Sequence, residues 1–349
     1  MKKNIFAIIM AGGGGERFWP IGRRDKPKQF SNIADGDAMI VSTYKRLSSL
    51  FLPENLFVIT NIRYVSELQK MLPIPPENII GEPVGRDTAP CVALATALVK
   101  RRDPNAVMVL LPADHLIQDE QRFCELVSEA IDVATVSEYL ITLGIVPDYP
   151  ADCYGYIEAG EKSFGEFQKV KRFLEKPDTA TAVEFCKTGG FYWNCGIFIW
   201  SVKTIEREFN KHCPDLSVLI DDLIEVSDIE EYLAENFWRC QKISIDYAVM
   251  EKAEAVLVRK ADFQWNDVGS LSALKKVFSQ DENGNAISGN AVVLDSHNCV
   301  IRSDSGNLIG VIGMKNAVVV QAGNGVLVYP LALESQVKAL VRQLPDYWK

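Results

Sequence analysis

Histidine is scarce: three stand in 349 residues, at 115, 212 and 297. Side chains that exchange protons near neutral pH are therefore few, which favours a reaction whose nucleophile is already ionised. The eight cysteines, at 91, 124, 153, 186, 195, 213, 240 and 299, include no Cys-x-x-Cys pair and no His/Cys cluster at zinc spacing. They read as reduced thiols rather than a disulfide framework or a metal knuckle. Basic residues are outnumbered, 37 against 46 acidic, for a formal net charge of -9. That balance argues against nucleic acid or an anionic membrane as partner, since each needs a broad basic face. No apolar run approaches membrane-spanning length, and the amino-terminal run is too short for a secretory h-region, so a cytoplasmic enzyme is expected.

What the chain does have is concentrated near its start. Ile5 to Met10 is a short apolar run, partly β-branched, that ends at Ala11 and the glycines Gly12 to Gly15. This is the pattern of a buried parallel strand feeding a tight loop. Glycine backbone can bring its N–H groups close to a phosphate, and Arg17, Arg23, Arg24, Lys26 and Lys28 follow at once, so the stretch reads as an anion cradle. It is not a P-loop, because no Lys-Ser/Thr follows the glycines. Nor is it a dinucleotide fingerprint, because Pro20 and Pro27 interrupt where a long helix would open.

Beyond the cradle the pattern alternates. Helical spacing at Met39 to Leu50, Tyr64 to Leu72, Thr88 to Lys100 and Gln121 to Thr135 separates strand-like runs at Leu56 to Thr60, Asn78 to Gly81, Ala106 to Leu111 and Tyr139 to Gly144. This implies a doubly wound α/β fold, its sheet mostly parallel and covered on both faces, with ligands beyond the carboxyl ends of the strands. The middle reads as strands at Tyr154 to Ala159, Val170 to Leu174 and Gly196 to Trp200. Helices are expected at Thr179 to Lys187, Val202 to Asn210, Leu216 to Glu225, Ile229 to Asn236, Asp246 to Ala253 and Leu271 to Phe278. A polar cluster after Gln280 marks a boundary, giving units 1–280 and 281–349. The second is β-rich, with short apolar runs 8 to 10 residues apart, a weak solenoid-like repeat and an amphipathic helix at Glu334 to Leu344.

Chemistry-bearing residues follow strands. Asp114, in Leu-Pro-Ala-Asp-His, and Asp267, in Trp-Asn-Asp-Val-Gly-Ser, are carboxylates that could share a hard divalent cation with a phosphate, although each alone reads as an ordinary loop or cap residue. His115 reads as a structural hydrogen-bonding residue. Glu175 and Lys176 stand at a strand end, where a carboxylate can accept from sugar hydroxyls and an ammonium can neutralise phosphate. Asn194 offers an amide among aromatics. Glu82, Arg86, Asp87 and Thr88 form a dense polar loop opening a helix, with Thr88 as its N-cap; a carboxylate such as Glu82 could accept both adjacent N–H donors of a guanine edge.

Seven or eight ordered blocks resemble the mannose-1-phosphate guanylyltransferases, or GDP-mannose pyrophosphorylases, of the sugar nucleotidyltransferase family. They are Ala11 to Pro20, Pro27 to Phe30, Glu82 to Pro90, Pro112 to His115, Phe173 to Pro177, Trp193 to Gly196 and Trp265 to Ser270, accompanied by Ser244 to Glu251. The resemblance implies a Rossmann-like nucleotidyltransferase domain with a mixed sheet, followed by a small β-rich domain of left-handed β-helical type. It implies that Ala11, Gly12, Gly13 and Gly15 lie on the nucleotide, that Arg17 and Lys28 stabilise the triphosphate, and that Asp114 and Asp267 bind Mg2+. Glu82, Arg86, Asp87 and Thr88 would serve the guanine, and Glu175, Lys176 and Asn194 the sugar phosphate. GTP, mannose 1-phosphate and GDP-mannose are the implied small-molecule partners, and a homodimer is expected. Gly14 and Glu16 stand where many relatives have Ser and Thr, Asp87 where Asn is usual, and Cys195 where Ser is common. The chain ends at Lys349, where longer bifunctional relatives carry an isomerase domain, so a single activity is expected. A nucleotidyltransferase for another sugar phosphate or base, and a non-catalytic sensor of nucleotide sugars, remain as alternatives.

Overall fold

The computed structural model describes residues 4–33, 36–304 and 306–349. Its chain divides into two compact units: one of Met1–Gly12, Thr43–Ala113 and Ile117–Trp265, the other of Gly13–Ser42, Asp114–Leu116 and Asn266–Lys349.

The first unit is built on a nine-stranded sheet. Its strands in chain order are β1 (Ile5–Ala11), β2 (Leu56–Asn61), β3 (Ile79–Glu82), β4 (Val107–Pro112), β5 (Leu140–Ile145), β6 (Tyr156–Lys162), β7 (Phe167–Leu174), β8 (Phe191–Ser201) and β9 (Val256–Ala261), arranged β3-β2-β1-β4-β8-β5-β9-β7-β6. The four leading strands are parallel, in register at Ile8↔Phe57 and Ile8↔Leu110. Their continuous apolar runs suit strands buried on both faces. β8 then enters antiparallel between β4 and β5, so the sheet is mixed. Because β1 and β4 run in register, their carboxyl ends lie side by side, and Ala113 N–H donates to the Met10 carbonyl at 3.0 Å.

Packing follows from composition. The helix Thr88–Arg102 is buried from Ala89 to Val99, and its small alanines admit the close approach of the helix Pro214–Glu225. The helix Glu120–Val136 buries only one stripe, Phe123, Leu126, Val127, Ala130, Ile131 and Ala134, against the sheet. No helix among the described residues is long and apolar enough to cross a membrane.

Several boundaries depart from the periodicity. β8 runs from Phe191, well before the expected Gly196, because its aromatic first half, Phe191 to Trp193, pairs with β6 and β5. The expected helix at Leu271 to Phe278 is a 3-10 run, Ser272–Lys276; Glu334 caps its start, taking the Ser272 N–H at 2.8 Å and also the Ser272 hydroxyl. The terminal helix is Val337–Gln343, preceded by a separate 3-10 segment, Leu331–Gln336, with a non-helical Leu333. Asp246 to Ala253 contains a π-turn, Asp246–Met250, in place of a plain α-helix.

In the second unit, β10 (Ala286–Ser288), β12 (Val300–Ser303) and β14 (Ala317–Ala322) form one parallel ladder, closed by antiparallel β15 (Gly325–Pro330). β11 (Ala291–Leu294) and β13 (Ile309–Ile312) form another. The expected repeat is therefore real, and its corners coincide from coil to coil. Asn298 and Asn316 both take positive φ, as do Asp295 and Gly313, and the two asparagine side chains bond to each other. Cys299, Ile301, Val311, Ala317 and Val319 fill the coil. A second cluster joins Phe18 and Trp19 of the glycine-loop segment to Val300, Val318 and Leu327. Trp19 Nε1 donates to the Trp348 carbonyl at 2.8 Å, and Arg302 donates to the carbonyls of Ile33, at 2.7 Å, and Asn32. The glycine-loop segment and the carboxyl-terminal coil are thus one packed body.

In the first unit's core, Trp200 is fully buried, yet its Nε1 has no hydrogen-bond partner among the described residues. Trp200→Ala is expected to cost about 3–5 kcal/mol, whereas Trp200→Phe, which removes the unpaired donor with part of the ring, should stay within about 1 kcal/mol of the parent. Equilibrium denaturation of both variants checks this.

Candidate active site

The second unit holds a cavity of about 490 Å³ whose lining includes Gly14, Gly15, Arg17, Lys28, Asp114 and Asp267. Three segments distant in sequence meet at Lys28. Its Nζ lies 2.9 Å from Asp114 Oδ2, donates to the Asp267 carbonyl at 2.8 Å, and sits 5.1 Å from the centre of the Phe18 ring. Lys28 is only 5% exposed, so its charge survives burial through these partners. The atoms packed around Asp114 would raise its pKa. The Lys28 ammonium, with His115, outweighs them and holds the carboxyl below its ordinary value.

The loop is shaped by one glycine more than by the run. Gly15 takes φ +65°, and a Cβ there would stand 2.7 Å from the Lys28 backbone nitrogen; around Gly13 and Gly14 a Cβ would meet nothing. Gly15 therefore sets the turn, while Gly13 and Gly14 leave open space. Gln29 Nε2 anchors the loop by donating to the Gly13 carbonyl at 3.0 Å. Asp267 is presented by successive Asx turns. Asn266 Oδ1 accepts from Val268 N–H at 2.7 Å and Asp267 Oδ1 from Gly269 N–H at 3.1 Å, holding Val268 at φ +45°, a costly conformation for a β-branched residue. Glu16, His115 and Lys338 also line the cavity. Lys338 has no motif around it in the sequence and could not have been singled out there.

The first unit holds two further clusters. At the end of β3, Glu82 is 5% exposed, and its Oε1 has no hydrogen-bond partner among the described residues. Its other oxygen is the nearest neighbour a Cβ on Gly12 would meet, at 3.6 Å. Burial first, with the Asp87 charge adding and the Cys91 thiol opposing, pushes the Glu82 carboxyl up to about 8. Ala11 ends β1 buried, its carbonyl accepting from the Thr60 hydroxyl at 3.0 Å. The helix cap is Asp87 rather than Thr88. Asp87 sits at φ +67° and ψ −169°, a positive-φ extended conformation costly for any residue with a Cβ, and accepts from Thr88 N–H at 2.9 Å. Thr88, one residue inside, instead accepts from Ile245 N–H at 2.8 Å. Arg86 donates to the Trp238 carbonyl.

The second cluster gathers Glu175, Lys176 and Asn194 with two carboxylates that had no role assigned from sequence, Asp246 and Glu251. Lys176 Nζ lies 2.5 Å from Glu175 Oε1, and Glu175 N–H donates to Glu251 Oε1 at 2.9 Å. Lys176 holds φ +46°, and a Cβ on Gly155 would collide with Glu175 Oε2. Asn194 Nδ2 donates to Asp246 Oδ1 at 2.8 Å. The signal was the Ser244 to Glu251 block itself. Cys195 donates to the Leu143 carbonyl at 3.2 Å, a bond a serine hydroxyl could also make.

The raised Glu82 carboxyl has a measurable consequence. Below its ordinary value of 4.5 the group is protonated in folded and unfolded chains alike; as pH climbs toward about 8 only the unfolded chain loses the proton, so stability falls across that window. Glu82→Gln removes that fall, and in denaturation at about pH 5 and about pH 8 the parent should lose at least about 1 kcal/mol more than the variant.

The description "Nucleotidyl transferase" fits residues 6–284, and "MannoseP isomerase/GMP-like beta-helix domain" fits residues 289–344. A mannose-1-phosphate guanylyltransferase of Klebsiella pneumoniae is 38% identical over 97% of this chain and 74% of its own. The alginate biosynthesis protein AlgA of Pseudomonas aeruginosa is 35% identical over 97% of this chain and 72% of its own. A crystal structure from Thermus thermophilus, described as a mannose-1-phosphate geranyltransferase, matches with TM-score 0.89 and 34% identity over 97% of this chain and 99% of that one. With its glycine loop, its carboxylates and its carboxyl-terminal coil all inside these matches, the chain belongs to the nucleotidyl transferase family, among the mannose-1-phosphate guanylyltransferases.

Proposed function

We propose that this protein transfers GMP from GTP to mannose 1-phosphate, giving GDP-mannose and pyrophosphate. The observation that carries this is the cavity in which Lys28, Arg17 and the open glycine backbone stand with two carboxylates. A polyphosphate is the guest that such a mixture of fixed cations, N–H groups and hard oxygen donors suits. In this reading residues 1–280 carry the chemistry and residues 281–349 brace the loop.

Asp114 and Asp267 are the residues that would hold magnesium. They fit it as hard oxygen donors, and among the described residues no group of three or more His, Cys, Asp and Glu could hold a metal alone, so substrate phosphate oxygens and water must complete the shell. Bound there, the ion supplies charge neutralisation at the reacting phosphate. Lys28, charge-compensated by Asp114 in the free protein, and Arg17 neutralise the departing pyrophosphate. Gly12, Gly13 and Gly15 position the triphosphate. Glu82, its Oε1 unpartnered, accepts from the guanine edge, with Arg86, Asp87 and Thr88 shaping the loop. Glu175, Lys176 and Asn194 bind the sugar phosphate. The sugar phosphate oxygen attacks the α-phosphorus in line as the bond from that phosphorus to the β-phosphate oxygen breaks and pyrophosphate leaves. Being already ionised, it needs no base, which fits the scarcity of histidine.

The protein acts in the cytoplasm as a homodimer. Supporting the dimer are apolar side chains exposed on the coil strands, among them Val292, Leu294, Ile312, Val326 and Val328.

Purified protein with GTP, mannose 1-phosphate and Mg2+ should release pyrophosphate, and a panel of other sugar 1-phosphates and nucleotides should be poorer; absence of release refutes the assignment. Asp114→Ala and Asp267→Ala should each lower kcat at least about 1,000-fold without unfolding the chain, as followed by pyrophosphate release and circular dichroism. Above about pH 8, where the Glu82 carboxyl is ionised, Glu82→Gln should raise the KM for GTP about tenfold or more and narrow its preference over ATP, because an amide cannot accept both guanine donors.

A further inference from the structure

The geometry points to Asp246 as the positioning residue of the sugar-phosphate cluster: it fixes the Asn194 carboxamide in one orientation, while Glu251, from the same turn, fixes the backbone that presents Glu175 and Lys176. This rests on the guanylyltransferase reading above and adds a residue pair to it.

Asn194 has few freedoms left. Its Oδ1 accepts from Gly196 N–H at 3.0 Å and lies 3.5 Å from the Thr142 hydroxyl, while Nδ2 gives one hydrogen to Asp246 Oδ1 at 2.8 Å. An amide held at both ends cannot flip, and one Nδ2 hydrogen remains for a ligand. Its backbone is held as well, its N–H donating to the Gly155 carbonyl at 2.8 Å. That same Gly155 is where a side chain would strike Glu175.

The support comes from the π-turn Asp246–Met250 and the residue after it. π-turns within helical segments are uncommon and cluster at functional sites, because the extra residue re-aims side chains. Here the turn starts where Thr88 Oγ1 accepts Ile245 N–H, and the Asp246 carbonyl accepts Glu251 N–H at 2.9 Å. Asp246 thus reaches Asn194 while Glu251 Oε1 receives Glu175 N–H at 2.9 Å. Lys176, at φ +46°, adopts a conformation that local preference disfavours and surrounding bonds must hold.

The electrostatics run against placing a carboxylate here for stability alone. Burial and the Glu175 charge push Asp246 up to about 7, with Lys176 and Ser244 opposing. An acceptor maintained at that cost fits a role in orienting a neighbour. The ionised form accepts from Asn194 without ambiguity, so sugar-phosphate affinity should rise as pH climbs through about 7.

The test uses the full chain, with GTP saturating and mannose 1-phosphate varied. Asp246→Ala should raise the KM for mannose 1-phosphate at least about tenfold with the KM for GTP unchanged within about twofold, and Asp246→Ala combined with Asn194→Ala should be no worse than Asn194→Ala alone. Asp246→Asn, which keeps size and removes charge, should abolish the inflection in kcat/KM near pH 7. The inflection from the substrate's own phosphate, near about 6, should persist in both proteins. Additive losses, an unchanged KM, or an inflection retained in Asp246→Asn would overturn the inference. Calorimetric titration of mannose 1-phosphate into the parent and Asp246→Asn separates the two failures. A parent that binds the sugar phosphate without turnover refutes the transferase reading, and equal binding by both proteins refutes the role of Asp246.

Discussion

A single buried ammonium organises the second unit. Lys28 is withdrawn from water almost completely, and an unpaired charge in that position would be expelled or neutralised. It persists because Asp114 faces it at 2.9 Å, the Asp267 carbonyl accepts from it and the Phe18 ring lies beneath it. Each of those partners belongs to a different stretch of chain. Satisfying one cation therefore fixes the glycine loop, the Asp114 segment and the Asp267 turn against one another. The strained φ of Val268 and the left-handed Gly15 are local costs of that arrangement.

Three carboxylates, Asp114, Glu82 and Asp246, are driven in opposite directions. Asp114 is held below its ordinary range by a cation in contact, a state suited to remaining ionised beside phosphate or metal. Glu82 and Asp246 are driven up, chiefly by burial, to about 8 and about 7, Lys176 offsetting only part of the rise at Asp246. One has an oxygen awaiting a donor; the other already holds an amide. Similar side chains thus come to differ in charge state through their surroundings.

The carboxyl-terminal coil takes part in that arrangement as scaffold. Its parallel ladders present Val300, Val318 and Leu327 to Phe18 and Trp19, and Arg302 holds the backbone at Asn32 and Ile33. Burial of these large side chains gives the loop a rigid base that a glycine-rich, Pro-interrupted segment could not supply from its own propensity. Repetition of Asn and Gly corners keeps the coils in register, since positive φ at the same corner of each turn returns the strands to alignment.

Much was legible in one dimension wherever the physics is local. The buried parallel strands declare themselves by unbroken apolar runs, and the coil by its evenly spaced short ones. The ordered motifs singled out Lys28, Asp114, Asp267, Glu175 and Asn194 before any geometry was known. Local signals failed where a distant partner decides. Thr88 reads as the cap, yet Asp87 takes that place while Thr88 accepts from Ile245 N–H, and Leu271 to Phe278 reads as a helix, yet it is a 3-10 run whose first N–H goes to Glu334. Asp246 sits in a recognisable block yet carries no role until Asn194 is found beside it. By itself, then, the amino-acid sequence determined the fold class and the family, because those depend on composition, periodicity and residue order. Only the tertiary structure decided which carboxylate is ionised, which amide is locked and which segment braces the loop, because charge state and orientation depend on neighbours that the chain supplies from far away.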